Sequence, residues 1–392
     1  MKKPNILIIA IAVAMPVMGM TIISPALSQI KSNLNISFSD TQLVLSMYFL
    51  SLAVGQLISG PLSDRFGRRP IIILGSLIYS IGAFCCLYMS DIRLLVLSRM
   101  IQGIGAAACL SVGRTIISDS YERSKAAEKM STVTAVMVII PILCFIFGGI
   151  FADLIGWRFN FFVLSIVGLI VFISMIFFLH ETNQNKIQHF DLIGSFKVYL
   201  MLFKNKVFIY FTFATGMQTA MFFSMNGFMP YEYLRLGVSL TEFGIWFSLT
   251  SFGYIIGNIL NSKIASKVGL EKMCFYGTNL SLIVIFLMFL NTFFNFQTPL
   301  TLSCLCTLFG FTNGLVVANG MIGAINATKI NQGAASGLMG ALQVGFGGVF
   351  GFLIIYFGGA TNFYISLVGM SIMSIISIFA SFMNLKLLQD RN

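Results

Sequence analysis

Long apolar segments alternate with short polar connections along the chain. A membrane-spanning helix needs about 20 mostly apolar residues, and the sequence contains twelve such runs. Their starting positions lie near Ile6, Thr41, Ile71, Leu94, Ser131, Phe159, Val207, Glu242, Met273, Leu300, Ala335 and Phe363. The pattern predicts an all-α membrane protein with twelve transmembrane helices. We expect the first run to be retained as a span, because it lacks a clear cleavage site.

The basic residues are concentrated on alternate connections. If the amino terminus is cytoplasmic, 18 of the 24 lysines and arginines lie on the cytoplasmic side and four on the opposite side, while Arg99 and Arg114 lie within the fourth span. Cytoplasmic loops of membrane proteins carry such an excess of positive charge. The distribution predicts that both termini are cytoplasmic and that the chain is a multi-pass protein of the inner membrane.

The composition excludes several classes of protein. Hydrophobic residues make up 57% of the chain and charged residues 9%, against about 25% charged in soluble domains, so a soluble enzyme is excluded. The net charge of +11 is spread over the connections and forms no patch for nucleic acid. The seven cysteines lie inside apolar runs, and His180 and His189 are the two histidines. We therefore expect no disulfide framework, no metal and no cofactor.

The chain divides near its middle. Its longest hydrophilic stretch, residues 181–206, separates six runs in residues 1–180 from six runs in residues 207–392. The connection after the second run contains Arg-Phe-Gly at residues 65–67, and the connection after the eighth contains Lys-Val-Gly at residues 267–269. We expect two six-helix bundles of similar topology, joined by a central cytoplasmic loop. One chain then holds both halves of a carrier, which favours a monomer.

The connection between the second and third runs has the most specific sequence. Residues 60–70 read GPLSDRFGRRP. Gly67 can adopt a positive φ in a tight turn, while Asp64 can pair with an arginine or lie at a helix amino terminus. Arg65 and Arg68 are typical of a cytoplasmic connection.

This connection resembles the loop 2–3 signature of the major facilitator superfamily. More closely, the chain resembles the superfamily's bicyclomycin and chloramphenicol resistance (Bcr/CflA) group of twelve-span drug:proton antiporters. Other landmarks of the group are matched by Pro25, Arg99, Gln102, Gly103, Arg114, Asp119, Tyr121, Trp157, Glu181 and residues 333–337. The resemblance implies alternating access, multidrug efflux and a proton as the coupling ion. It also implies conformational roles for Gly60, Asp64, Arg65, Gly67, Arg68, Arg99, Gln102, Gly103, Pro141, Gly148 and Gly149.

The chain departs from the pattern of this group at three places. Thr21 stands where the group usually carries an aspartate, four residues before Pro25. In the fifth span, Cys144 and its neighbour replace the second Gly/Ala-Pro pair that usually follows Pro141. The connection after the eighth run, which is similar to the connection after the second, has Ser266 at the position equivalent to Asp64.

The ionisable residues within the spans are basic. None of the thirteen acidic residues falls near the middle of a span, whereas Arg99 and Arg114 lie inside the fourth. A charged residue within a bilayer is a candidate functional residue. We expect a structural or coupling role for Arg99. For Arg114 we expect either a ligand-binding or coupling role, or a fixed hydrogen bond between helices. An arginine-bearing cavity without a central acid favours neutral or anionic cargo over lipophilic cations.

Other polar residues within the spans could either line a cargo pocket or form hydrogen bonds between helices. They are Tyr48, Gln218, Asn226, Trp246, Asn258, Asn313, Asn319 and Gln343. Gln218, Asn226 and Gln343 rank first, because the family resemblance implies that spans seven and eleven border the cavity.

The sequence therefore favours a proton-linked exporter of a small molecule, either a drug or a metabolite. Two alternatives stay open. One is a dedicated carrier of a single siderophore or metabolite, working as an exporter or an importer. The other is a transport-dead sensor or assembly partner, which the replacement of the first-span aspartate by Thr21 favours slightly.

Overall fold

The computed structural model describes residues 4–184, 192–328 and 332–389 of the chain. The α-helices in these ranges are α1 Ile6–Thr21, α2 Leu27–Leu34, α3 Phe38–Phe66, α4 Arg68–Tyr88, α5 Ile92–Ser120, α6 Arg123–Leu154, α7 Trp157–Phe178, α8 Leu192–Leu202, α9 Lys206–Arg235, α10 Leu240–Val268, α11 Leu270–Phe293, α12 Pro299–Asn326, α13 Gln332–Tyr356 and α14 Phe363–Gln389. A 3-10 turn, Ser24–Ala26, joins α1 to α2. Some of the charged residues and histidines counted in the sequence lie outside the described ranges, namely Lys2, Lys3, Lys186, His189, Asp191, Lys329, Asp390 and Arg391.

The described chain contains 12 helical segments that are long and apolar enough to cross a membrane, which confirms the predicted twelve spans. The first span combines α1 and α2, and each helix from α3 to α7 and from α9 to α14 forms one further span. The largest shift from a predicted start occurs in span five, where the helix begins at Arg123 and not near Ser131. The charged residues of its first turns interrupt the apolar pattern, but they are good helix formers.

The hydrophilic stretch between the halves contains one helix that the sequence analysis does not predict. This helix, α8, has 11 residues and lies within the segment expected to be a loop. A helix of this length is too short to cross a bilayer, so it is not one of the predicted spans. The residues before it, 185–191, lie outside the described ranges.

The described helices group into two compact units that divide between residues 193 and 194. In the first unit, α5 packs against α3 and α4, α4 packs against α7, and α1 packs against α6. In the second unit, α12 packs against α10 and α11, while α9 packs against α13 and α14. In each unit, therefore, the fourth membrane span (α5 or α12) packs against the second and third spans of the same unit.

The two similar tripeptides, residues 65–67 and 267–269, lie in connections with the same backbone conformation. Gly67 alone separates α3 from α4, with φ 106° and ψ 157°. Gly269 alone separates α10 from α11, with φ 94° and ψ 148°. Side chains with a Cβ rarely adopt these positive φ values, so both single-residue turns require glycine.

Glycines allow α10 and α12 to pack with their backbones in contact. A Cβ atom placed on Gly253 would lie 1.9 Å from the carbonyl oxygen of Thr307, and one on Gly310 would lie 2.0 Å from the carbonyl oxygen of Thr250. Small residues are the usual means of such close approach in membranes. The pair of helices in the second unit is thus fixed by backbone contacts that no larger residue permits.

Candidate functional site

Arg99 is fully buried near the start of α5 in the first unit. Its Nε donates to the carbonyl oxygen of Val44 at 3.0 Å, and its Nη2 donates to that of Gly19 at 2.8 Å. Its Nη1 donates to Oε1 of Gln102 at 2.5 Å. The guanidinium carbon lies 4.0 Å from the ring centroid of Tyr48. These acceptors and the aromatic face offset the cost of removing the charge from water.

The break in the first span supplies one of these acceptors. Helix α1 ends at Thr21, and the chain then enters the 3-10 turn that contains Pro25. The last carbonyl groups of a helix have no amide partner within the helix. The carbonyl oxygen of Gly19 is therefore available to the guanidinium of Arg99.

Two tyrosines attach the neighbouring helices to the same stretch of α1. The hydroxyl of Tyr48, on α3, donates to the carbonyl oxygen of Pro16 at 2.9 Å. The hydroxyl of Tyr79, on α4, donates to the carbonyl oxygen of Met15 at 3.0 Å. Tyr48, a candidate pocket residue, is therefore fully buried in the Arg99 cluster, which we define as Gly19, Val44, Tyr48, Arg99 and Gln102.

Gly103 brings α5 close to α3 next to this cluster. A Cβ atom on Gly103 would lie 2.1 Å from Oγ of Ser51 and 2.7 Å from the carbonyl oxygen of Tyr48. The adjacent Gln102 is also fully buried and accepts the hydrogen bond from Arg99. The Arg-x-x-Gln-Gly pattern of the fourth span thus combines a charge, its acceptor and the small residue that permits the contact.

The surroundings of Arg99 are polar and aromatic rather than anionic. None of the ion pairs formed by the described residues includes Arg99. Thr21, which replaces the aspartate usual in the group, is buried, and its hydroxyl donates to the carbonyl oxygen of Val17 at 2.8 Å. The described part of the first unit therefore holds a buried cation that no carboxylate contacts.

Arg114 lies farther along α5 and differs from Arg99 in its surroundings. Its side chain is half-buried, and its Nη2 lies 3.7 Å from the sulfur of Met137 on α6. A thioether is a weak acceptor. Arg114 is therefore less enclosed than Arg99, which is fully buried.

Arg68 joins the ends of three helices at the connection signature. Its Nη1 lies 2.5 Å from Oδ1 of Asp64 at the end of α3, and its Nε lies 2.9 Å from Oδ2 of Asp119 at the end of α5. Nη1 also donates to Oγ of Ser63 at 2.6 Å. The planar guanidinium serves several acceptors at once, so Arg68 fixes these helix ends to the start of α4.

Glu181 and Arg69 connect α4 to the end of α7. The carboxylate of Glu181 accepts from the backbone amides of Arg68 at 2.9 Å and Arg69 at 3.3 Å. The side chain of Arg69 donates to the carbonyl oxygens of Leu179 at 2.7 Å and Ile176 at 2.8 Å. An anion at a helix amino terminus and a cation at a carboxyl terminus are both favourable. Neither contact is predicted from the sequence, although the sequence shows an acidic residue directly after the sixth span and an arginine directly after Arg68.

The remaining residues of the signature have different environments. Gly67 takes the positive φ expected of it. Arg65 is exposed, with its guanidinium carbon 5.1 Å from the ring centroid of Phe66. A Cβ atom on Gly60 would meet nothing within 4 Å, so the packing does not require glycine there.

The glycine pair of span five contacts the broken end of span one. Pro141 lies inside α6, and Gly148 and Gly149 are buried one to two turns later. A Cβ atom on Gly148 would lie 2.4 Å from the carbonyl oxygen of Ile22. Gly148 therefore permits α6 to approach the backbone that follows α1.

Gln218 lies in a polar network within the second unit. It is fully buried, and its Nε2 donates to Oγ1 of Thr312 at 3.3 Å, while its Oε1 accepts from Oγ of Ser281 at 3.2 Å. Asn313 donates to the backbone carbonyl of Gln218 at 3.4 Å. These bonds join α9 to α11 and α12, which corresponds to the interhelical alternative considered for such residues. Asn319 similarly donates to Oδ1 of Asn261 at 2.5 Å.

Asn226 and Gln343 occupy α9 and α13. Asn226 is fully buried and donates to the carbonyl oxygen of Phe222 on its own helix at 2.8 Å. Gln343 is 8% exposed, and its Nε2 has no hydrogen-bond partner among the described residues. A buried polar atom without a partner is costly, so Gln343 has a geometric reason to bind a ligand, as does Asn313, whose Oδ1 also lacks a partner among the described residues.

Comparison with known proteins agrees with the fold and the signatures. The family model of the Major Facilitator Superfamily matches residues 9–352. A bicyclomycin resistance protein homologue of Haemophilus influenzae is 26% identical over 354 residues, which cover 88% of this chain and 87% of that protein. Multidrug resistance protein D of Escherichia coli is 27% identical over 345 residues, covering 86% and 85% of the two chains. These relatives confirm the resemblance to the Bcr/CflA-like group.

Solved structures share the fold at low sequence identity. A bacterial homologue of the human lysosomal transporter Spinster aligns with a TM-score of 0.72 and 16% identity over 97% of this chain and 96% of that one. The nucleoside transporter NupG aligns with a TM-score of 0.75 and 13% identity over 97% and 99% of the two chains. Because the family model covers most of the chain, the chain belongs to the Major Facilitator Superfamily, and with these relatives it is a multi-pass secondary transporter of small molecules in the inner membrane and not an enzyme.

Proposed function

We propose that the protein exports a small neutral or anionic molecule, a drug or a metabolite, in exchange for protons. The relatives named for bicyclomycin and multidrug resistance support the export of drugs. The proton is the proposed coupling ion because the chain resembles a group of drug:proton antiporters. No cofactor takes part in this scheme, and one chain acts as a monomer with both termini cytoplasmic.

One observation carries the preference for neutral or anionic cargo. Arg99 is a buried cation whose contacts are carbonyl oxygens, an amide oxygen and an aromatic ring, and none of the ion pairs of the described residues includes it. A lipophilic cation that enters a low-dielectric site needs an anionic partner. A neutral molecule lacks this requirement, and an anion gains from the positive field.

Arg114 and Gln343 are the residues that we assign to cargo. Arg114 carries a half-buried positive charge, and Gln343 has a buried amide without a partner among the described residues. Tyr48 and Gln218 have their polar groups engaged within their own units, so their proposed role is to hold the helices that carry the site.

The test uses purified protein in liposomes with an acidic lumen and an internal pH dye. A neutral antibiotic, a polycarboxylate chelator and a lipophilic cation are added one at a time, with empty liposomes as the control. Proton-coupled transport of the cargo alkalinises the lumen, and we expect this with the neutral drug or the chelator. Alkalinisation with the chelator alone would favour the dedicated siderophore carrier. Alkalinisation with the cation alone, or with none of the three, would contradict the proposal.

A further inference from the structure

Three charged side chains are buried among the described residues: Arg68, Arg99 and Glu232. The first two belong to the clusters described above. Glu232 belongs to neither, because it lies in the last turn of α9 in the second unit. The other described acidic residues are half-buried or exposed. Glu232 is thus the one buried carboxylate in the described part of a chain whose resemblance implies proton coupling.

Glu232 and Arg235 connect α9 to a turn that is distant in sequence. The Oε2 of Glu232 lies 2.6 Å from Nη1 of Arg235. The Nη2 of Arg235 donates to the carbonyl oxygen of Ala360, between α13 and α14. The Glu232 side chain is 6% exposed and that of Arg235 40%. The pair therefore extends from a buried carboxylate to the surface.

Other titratable groups at this end of the second unit have different partners. Glu242, at the start of α10, accepts from the backbone amide and hydroxyl of Ser239 in a capping box. Tyr233 shares a hydrogen bond with Ser303 on α12, and Tyr364 on α14 packs its ring against Phe289 on α11. Tyr356, on α13, is exposed. Among the described residues, Arg235 is accordingly the charge that faces Glu232.

We propose that Glu232 is the carboxylate that binds the coupling proton, an inference that rests on the proposed proton-coupled transport. The charge distribution along the chain assigns this end of α9 to the outer face, where an exporter takes up protons. Proton binding to Oε2 removes the negative charge and leaves Arg235 without its counter-ion. A hydrogen bond between two charged groups is stronger than one to a neutral group, so protonation weakens the bond that holds Arg235 and with it the attachment of α9 to the turn at Ala360.

The packing of α9 transmits this change to the candidate cargo residue on α13. A Cβ atom on Gly347 of α13 would lie 2.4 Å from Cδ2 of Phe223 on α9, and one on Gly216 of α9 would lie 2.7 Å from Cδ2 of Phe346 on α13. Gln343 lies one turn before Gly347. Tightly packed helices shift together rather than deform, so a displacement at the end of α9 reaches Gln343.

The decisive variant is Glu232→Gln, which retains the shape and hydrogen-bonding capacity of the side chain but cannot take up a proton. Full-length protein is reconstituted in liposomes with a cargo that alkalinises the lumen for the unmodified protein. We expect the variant to lose accumulation driven by a pH difference and to retain cargo counterflow at equal pH. Glu242→Gln is the matched control, because glutamine preserves a capping box, and it should retain both activities. Glu232→Asp, which keeps a titratable group, should retain coupling.

A second measurement separates this inference from the proposed function. The infrared difference between acidic and neutral samples should contain a carboxylic-acid C=O band that is absent in Glu232→Gln and present in Glu242→Gln. If the unmodified protein exchanges protons and Glu232→Gln does so equally well, Glu232 is not the site. An unchanged infrared band in Glu232→Gln would also overturn proton binding at Glu232. If the unmodified protein moves no protons with any cargo, it is the proposed function that fails.

Discussion

The Nη2 of Arg99 donates to the carbonyl oxygen of Gly19 at 2.8 Å, so a cation of span four is bonded to the broken end of span one. We predict that Arg99→Lys lowers the free energy of unfolding by about 2 kcal/mol, since one ammonium cannot replace the forked contacts of a guanidinium. Thermal unfolding of the purified protein in detergent checks this. Arg93→Lys, at an exposed site near the start of the same helix, should change the stability by less than about 0.5 kcal/mol. Equal effects of the two substitutions would contradict this role of Arg99.

The contact between α10 and α12 gives a second stability prediction. Gly253→Ala places a methyl group 1.9 Å from a backbone carbonyl oxygen of Thr307, and overpacking of this kind costs about 1 to 3 kcal/mol. Gly60→Ala is the matched control in a helix, because nothing lies within 4 Å of its added Cβ, and removing a helical glycine gains about 0.5 to 1 kcal/mol. The unfolding temperature should fall for the first variant and rise or stay constant for the second. A fall of the same size for both would disprove the packing argument.

The positions of the spans could be predicted from the sequence because the lipid imposes one simple requirement, a long apolar run. The limits of this rule are visible at two places. The helix of span five begins at Arg123, several residues before the span itself begins at Glu128, since a helix can continue beyond the hydrocarbon layer with charged residues. Helix α8, with 11 residues, is too short to be recognised as a span.

The site was less predictable because its contacts depend on backbone atoms and distant turns. The positions of Arg99 and Arg114 within span four follow from the sequence, but the carbonyl acceptors of Arg99 carry no sequence signal. Gln218 could equally line a pocket or join helices, and its neighbours in three dimensions decide between them. Glu232 is visibly near a helix end, but its partner Arg235 bonds to the carbonyl oxygen of Ala360, which is 125 positions away along the chain.

The ion pair between Asp64 and Arg68, with a separation of 2.5 Å, gives a kinetic prediction. Asp64→Asn should slow cargo turnover more than it weakens cargo binding, because the pair fixes helix ends and lies outside the residues assigned to cargo. Arg68 keeps its second partner, Asp119, at 2.9 Å, so the fold should persist. Transport rates in liposomes and cargo binding to the purified protein measure the two effects. Glu128→Gln removes the exposed pair with Lys129 and should leave both unchanged; equal losses of binding and turnover in Asp64→Asn would contradict the prediction.

Arg114 provides the most direct test of the proposed cargo. Arg114→Gln removes a half-buried positive charge but keeps a polar side chain at a similar position on α5. A favourable charge interaction of about 1.4 kcal/mol corresponds to a tenfold change in affinity, so transport of an anionic cargo should weaken by about this factor. A neutral cargo should be affected much less, because it gains little from the charge.

The comparison between cargoes within one variant excludes a general loss of folding, since misfolded protein would transport neither molecule. Arg93→Gln removes an equal charge at an exposed site on the same helix and should leave the ratio of anionic to neutral transport constant. An unchanged ratio in Arg114→Gln would remove Arg114 from the cargo site. In that case the preference for anions would depend on Arg99, whose enclosed guanidinium can act on cargo only through its field.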